Sequence, residues 1–237
     1  GLRFENDSQI SINHTVIKNG GGLRVLTPNF SLTNSHLAYN VIGAATGAVV
    51  SVSYGSPIIE NNTFIENDLP AVASGANQEV SAIINGNYLE GNGQSNQNRP
   101  QINMGPSGID TLKITQNTII GDPTLDQVGG IAVANLTGGE IRSIIDNNTI
   151  TNNRYGITVV GGNSFAYIRN NVIENNDTQG APNLGGSGIS LNSSYNTQEV
   201  VATNNEIRGN LWGITVIGEA SINLGDNEDN PGGNVFA

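Results

Sequence analysis

The feature that most restricts this chain is a phrase that returns along its length. The fullest copy, SIIDNNTITNNRYGITVVGG, runs from Ser143 to Gly162 and has three short apolar runs separated by Asn-rich and Gly-rich corners. Other copies read PIIENNTFIEN from Pro57, AIINGNYLEGN from Ala82, KITQNTIIGD from Lys113, YIRNNVIENN from Tyr167 and VATNNEIRGN from Val201. Self-similarity at a period of roughly 20 to 50 residues marks a stacked architecture, because one such unit cannot bury its apolar face alone.

Aligned on the second Asn of the corner, the anchors are Asn62, Asn87, Asn117, Asn148, Asn171 and Asn205, at spacings of 25, 30, 31, 23 and 34 residues. Two residues on stands an apolar position: Phe64, Leu89, Ile119, Ile150, Ile173 and Ile207. The copies around His14 and Ser35 are degenerate. A constant motif with a variable length excludes a rigid-length repeat and requires corners that stretch. After each corner comes a Gly or small residue and then alternating apolar positions, as in GLRVL at 22, AVVSV at 48, GIAVA at 130, GITVV at 156 and GITVI at 213. Alternation of period two marks strands with one buried face. These strands are too short for a meander, no reliable hairpin turn separates them, and helical periodicity is absent. The expected fold is all-β: a right-handed parallel β-helix of about eight coils, three short parallel strands to a coil, stacked about 4.8 Å apart. Ile150 should then lie near Ile119 and Ile173, and the anchor Asn residues should form an amide ladder.

No linker interrupts residues 1–237, so a single domain is expected. The pattern is already running at Leu2, as in a fragment of a longer chain, and no signal peptide is legible. The last stretch, 221–237, breaks the rhythm and is expected to lie over the final coil. The gap between anchor and following strand is short after Asn62, Asn148 and Asn205. Elsewhere it is lengthened by polar inserts at 91–100, 121–129 and 176–186. Insertions at one repeat position emerge on one edge of a solenoid, so these three loops should line up.

Composition fits stacked small aliphatics better than a conventional core: hydrophobic residues are 36% but aromatics only 5%, and there are 31 Gly. The net charge of −11, with nine Lys and Arg, cannot release counterions from a phosphate backbone, which argues against nucleic acid and anionic membranes. No cysteine is present, so disulfides and thiolate metal sites are excluded, and no apolar run approaches the roughly 20 residues that span a bilayer. Long Asn/Gly/Thr repeats with few charges point to a secreted or surface-attached protein.

With these repeats the chain resembles the pectin-lyase-like superfamily of right-handed parallel β-helix proteins, specifically its repeat-containing members with the NNTI and YGI phrase. The resemblance implies the fold over essentially the whole chain, and most members handle polysaccharides. It carries no catalytic signature across. The Asp-Asp pair and Gly-His-Gly of galacturonase-type hydrolases are missing, and so is the Asp-Pro-His-Glu cluster of mannuronan epimerases. Lys113, Arg142 and Arg169 are available as a lyase base but have no accompanying acidic cluster. One Met and two His are too few for a copper-delivery relative.

Candidate sites are correspondingly sparse. His14 and His36 read as corner substitutes for Asn. Asp146, with Glu60, Gln116 and Arg169 as equivalents, reads as a solvated outer position. Asp226, Glu228 and Asp229 offer oxygen ligands for calcium but lack the spacing of a dedicated loop, so no metal or cofactor is expected beyond that calcium possibility. Tyr155 and Trp212 precede the Gly of a GI strand, where a ring face could meet a sugar. Arg99, Asp122, Asp126 and Asp177 lie in the inserts and are candidates for ligand contact, since loops on a rigid scaffold carry function. The expected function is binding of, or action on, polysaccharide or cell-surface glycan by a monomer. The alternatives are a lyase or hydrolase of the superfamily and a structural adhesin or spacer.

Overall fold

The computed structural model describes residues 1–41, 47–76, 78–108, 110–228 and 231–237. Among the described residues there are 27 strands and no helix. They form three sheets of nine strands, each strand hydrogen-bonded to its equivalents one coil before and after. Sheet I runs from Leu2–Phe4 to Trp212–Gly218, sheet II from Gln9–Asn13 to Ser221–Asn223, and sheet III from Val16–Lys18 to Val235–Phe236. Neighbours pair in parallel and in register, as Ile119 with Ile150 and Ile150 with Ile173. The molecule is therefore a right-handed parallel β-helix of nine coils, about 40 Å long at the inter-strand spacing.

Nine coils rather than eight are present because Ser221–Asn223 and Val235–Phe236, with Asn234 on the Asn205 rung, add one beyond the eight copies legible as repeat phrases. The first coil also contributes a full set of strands. Two strands of the last stretch continue the rhythm: Ser221–Asn223 pairs with Glu199–Val201, and Val235–Phe236 with Glu206–Ile207.

Inward residues stack into aliphatic columns. Phe64, Leu89, Ile119, Ile150 and Ile173 are fully buried and Ile207 nearly so, while Thr151 points outward and is half-buried. Burying one such side chain is worth about 1.5–3 kcal/mol, so a column repeated on each coil supplies the core that scarce aromatics do not. The GI signature has a steric cause. A Cβ on Gly156 would strike the carbonyl of Gly188 and the Cγ2 of Ile173, and one on Gly188 would meet Ile207 and the Gly213 carbonyl.

The Asn-Asn corners divide two tasks. The first residue takes a left-handed backbone, with φ of 56° at Asn61, 57° at Asn147, 56° at Asn170 and 55° at Asn204. Asn tolerates this region better than most residues, and Gly86 does so freely. The second residue is buried and bonds along the rod: Asn62 Nδ2 donates to Asn87 Oδ1 at 3.0 Å, and the chain continues through Asn117, Asn148, Asn171, Asn205 and Asn234. His14 does occupy a left-handed corner, at φ 48°. His36 does not: it opens the strand His36–Ala38 beside Thr63, with burial and the Lys18 charge pushing its imidazole pKa down. The residue level with Asp146 is Thr115, one before Gln116. Asp146 itself accepts from Asn147 and Asn170 and pairs with Arg169 at 3.2 Å.

Candidate ligand groove

A second amide ladder, unread in the sequence, runs at the corner that follows sheet III. Asn40 donates to Asn67 and Asn67 to Asn92, while Asn153 donates to Asn176 and Asn176 to Asn210. Its signal was present, since all but one of the repeat phrases end in a second x-Asn, as in IEN, LEGN and IENN. The fifth coil has Gly121-Asp122 there instead, and the gap is filled by the residue just before the sheet I strand Ile102–Met104. Gln101 Oε1 accepts from Asn92 Nδ2 at 3.0 Å, and Gln101 Nε2 donates to Asn153 Oδ1 at 3.0 Å and to the Ile120 carbonyl at 2.9 Å.

All three inserts leave the helix at this ladder and stand side by side, as the repeat positions require. Asn96 Nδ2 donates to Asp126 at 2.9 Å, and Gln179 reaches the same carboxylate at 3.5 Å. Arg154, on the short corner between the last two loops, donates from Nη1 to Asn98 Oδ1 at 2.6 Å and from Nε to the Leu184 carbonyl at 2.7 Å. Its backbone N–H meets the Val128 carbonyl at 2.8 Å. Arg154 thereby ties 91–100, 121–129 and 176–186 into one wall.

Beside that wall, across the outer face of sheet I, lies an open groove of about 880 Å³. Its floor is two stacked columns of small or slim side chains. One is Asn103, Ala132, Thr158, Ser190 and Thr215, and the other Ala134, Val160, Asn192 and Ile217. Asn98, Pro100 and Pro182 to Gly185 form the loop side, and Leu136 marks the opposite rim. Trp212 is 49% exposed at the loop side, its Nε1 donating to the Pro182 carbonyl at 3.2 Å. Tyr155 lies flat over Gly129, where any Cβ would collide with its ring, and desolvation pushes its phenol pKa well above the ordinary value against the opposing Arg154 charge.

Of the six loop and edge candidates, the structure brings only Tyr155 and Trp212 to the groove. Arg99 turns away, its Nη1 lying 3.4 Å from the Gly47 carbonyl. Asp122 closes its own turn on the Thr124 N–H and hydroxyl, which lower its carboxyl pKa, and Asp126 is spent joining loops. Asp177 is exposed outside the groove lining. The insert 121–129 supports the wall from behind and contributes no lining residue. What sequence reasoning missed is Arg154, the one charged residue in the lining, and the whole floor, whose members are outward-facing strand residues with no local mark. Asp226 accepts from Asn223 at 2.6 Å, Glu228 is exposed, and Asp229 lies outside the described residues; no group of three or more His, Asp or Glu suited to a metal occurs among the described residues.

The chain is thus a right-handed parallel β-helix protein, and residues 129–229 match the family model of the right-handed β-helix region. This is consistent with the pectin-lyase-like superfamily that its repeat phrase resembles. No curated protein and no solved structure gives a significant match.

Proposed function

We propose that the protein binds an extended polysaccharide in the groove on sheet I, as a secreted or surface-exposed β-helix. The observation that carries this is the pairing of an exposed indole, Trp212, with a floor column crossing five consecutive coils, in which Asn103, Thr158, Ser190 and Thr215 present amide or hydroxyl groups and Ala132 is the one apolar member. An aromatic face suits the C–H face of a pyranose, and convergent amides and hydroxyls suit its equatorial hydroxyls. The groove is open and continuous, which fits a polymer better than a small solute. The described lining contains one guanidinium and no carboxylate, so its chemistry favours holding a chain over general acid and base attack upon it.

Trp212 is the only tryptophan, so its emission reports on the groove directly. Titration with a panel of uronate and neutral polysaccharides should change that emission for at least one polymer, and in calorimetric titration with that polymer Trp212→Ala should bind about tenfold more weakly than the parent, or about 1.4 kcal/mol. A panel without any response, or unchanged affinity in the variant, would end this reading. Following ultraviolet absorbance of unsaturated ends and reducing sugar in the same incubations tests for turnover.

A further inference from the structure

Beyond the far rim of the groove, where sheet I turns into sheet II, lies a second cleft of about 570 Å³. Its two sides are the turn after Ile131–Ala134 and the turn after Ser187–Ser193. The coil between them closes with only Gly161, Gly162 and Asn163. That short turn is a floor that side chains could not provide. Gly161 has a φ of 92°, and a Cβ on Gly162 would meet Thr197 Oγ1 at 2.7 Å and the Tyr195 Cβ at 3.0 Å.

We propose that this cleft binds one residue of a neutral sugar chain, with Tyr195 as the stacking platform. Leu136 and Tyr195 are the two most exposed large apolar side chains among the described residues, at 71% and 67%, and both line this one cleft. A single exposed apolar residue needs no explanation, but two converging on one concavity do. Between them stand polar groups free to bond. The side-chain amides of Asn163 and Asn196 have no hydrogen-bond partner among the described residues, and Thr137 is exposed beside them. The lining includes no charged residue, so an acidic sugar would find no counter-charge, whereas neutral hydroxyls meet amides and a ring.

The cleft is also held ready. Ser193 Oγ donates to the Tyr195 carbonyl at 2.7 Å and accepts from its N–H at 3.0 Å, Thr197 Oγ1 accepts the Asn163 N–H at 2.9 Å, and buried Gln198 Nε2 braces the Gly161 carbonyl at 3.0 Å. A preformed site avoids the ordering cost that weakens loop binding. The inference does not depend on the groove being a glycan site, although Leu136 lines both.

The test is titration of ¹⁵N-labelled protein with hexasaccharides of glucose, mannose, xylose and galactose. At least one should shift the amide resonances of Asn163, Asn196 and Thr197. Tyr195→Ala, at an exposed site that leaves the core untouched, should weaken that response about tenfold, and Tyr195→Phe should retain it. Silence of these amides toward all four sugars, or an undiminished response in Tyr195→Ala, overturns the proposal. Trp212 responding while the cleft stays silent rejects the cleft and leaves the groove reading standing; the reverse pattern, with Trp212 silent toward uronate polymers as well, rejects the groove alone.

Discussion

Asn does two different things within one dipeptide, and substitutions should separate them. Asn147 sits at φ 57°, so Asn147→Gly should be close to neutral, while Asn147→Ala should cost about 1 kcal/mol for the left-handed backbone. Asn148 donates to Asn171 Oδ1 and the Ile114 carbonyl, and accepts from the N–H and amide of Asn117. Asn148→Ala strands several buried groups and should cost about 3 kcal/mol or more. Urea unfolding that shows equal losses for the two alanine variants would contradict this division. Tyr155 supplies a pH signature. Its folded pKa lies above the unfolded value of 10.0, so the folded state holds the phenolic proton more tightly. Stability from this residue is complete below that pH and falls as pH rises past it. Thermal melts between neutral pH and pH 11 should show a steeper alkaline decline in the parent than in Tyr155→Phe.

At the scale of elements, the ladders decide which corners may lengthen. A loop can leave the helix between ladder and strand without cost to stacking, provided an amide occupies each rung. Where the fifth coil omits its Asn, Gln101 reaches in from the end of an insert. Gln101→Ala should therefore break the second ladder at its middle, increasing amide hydrogen exchange at Asn92 and Asn153 while leaving the Asn117–Asn148 rungs protected. Unchanged exchange at Asn92 would show that the rung carries no load. The wall next to it depends on Arg154, which bonds loops on both sides and is far from either in sequence.

The whole molecule is close to one-dimensional, since each coil meets chiefly the next. Deleting 148–170 removes one complete turn and presents Asn171 to the Asn117 rung in the same phase. This variant should remain a folded β protein by circular dichroism, with a lower melting temperature. Deleting 148–158 removes half a turn, puts inward residues outward and should abolish the cooperative transition. If both deletions behaved alike, neighbour-only stacking would be the wrong description. The rod's acidity belongs to this scale too: net charge −11 is spread over a surface whose described groove and cleft linings contain no carboxylate.

The repeat phrase by itself determined the three-sheet β-helix, the inward column through Ile150 and the first Asn ladder. Each is a local rule, period-two alternation plus a corner residue, copied on successive coils. It also placed the three inserts on one edge. The second ladder was equally legible in the trailing Asn of most phrases, apart from the Gln101 rung, which comes from the residue just before the strand Ile102–Met104. Only the tertiary structure decided which polar residues face a ligand. Arg99, Asp122, Asp126 and Asp177 look alike in sequence, yet three-dimensional pairing spends two of them on loops and turns the others away from the groove. Thr158, Ser190 and Thr215 carry no mark in the chain and become a continuous floor because stacking in register sets residues more than twenty positions apart side by side.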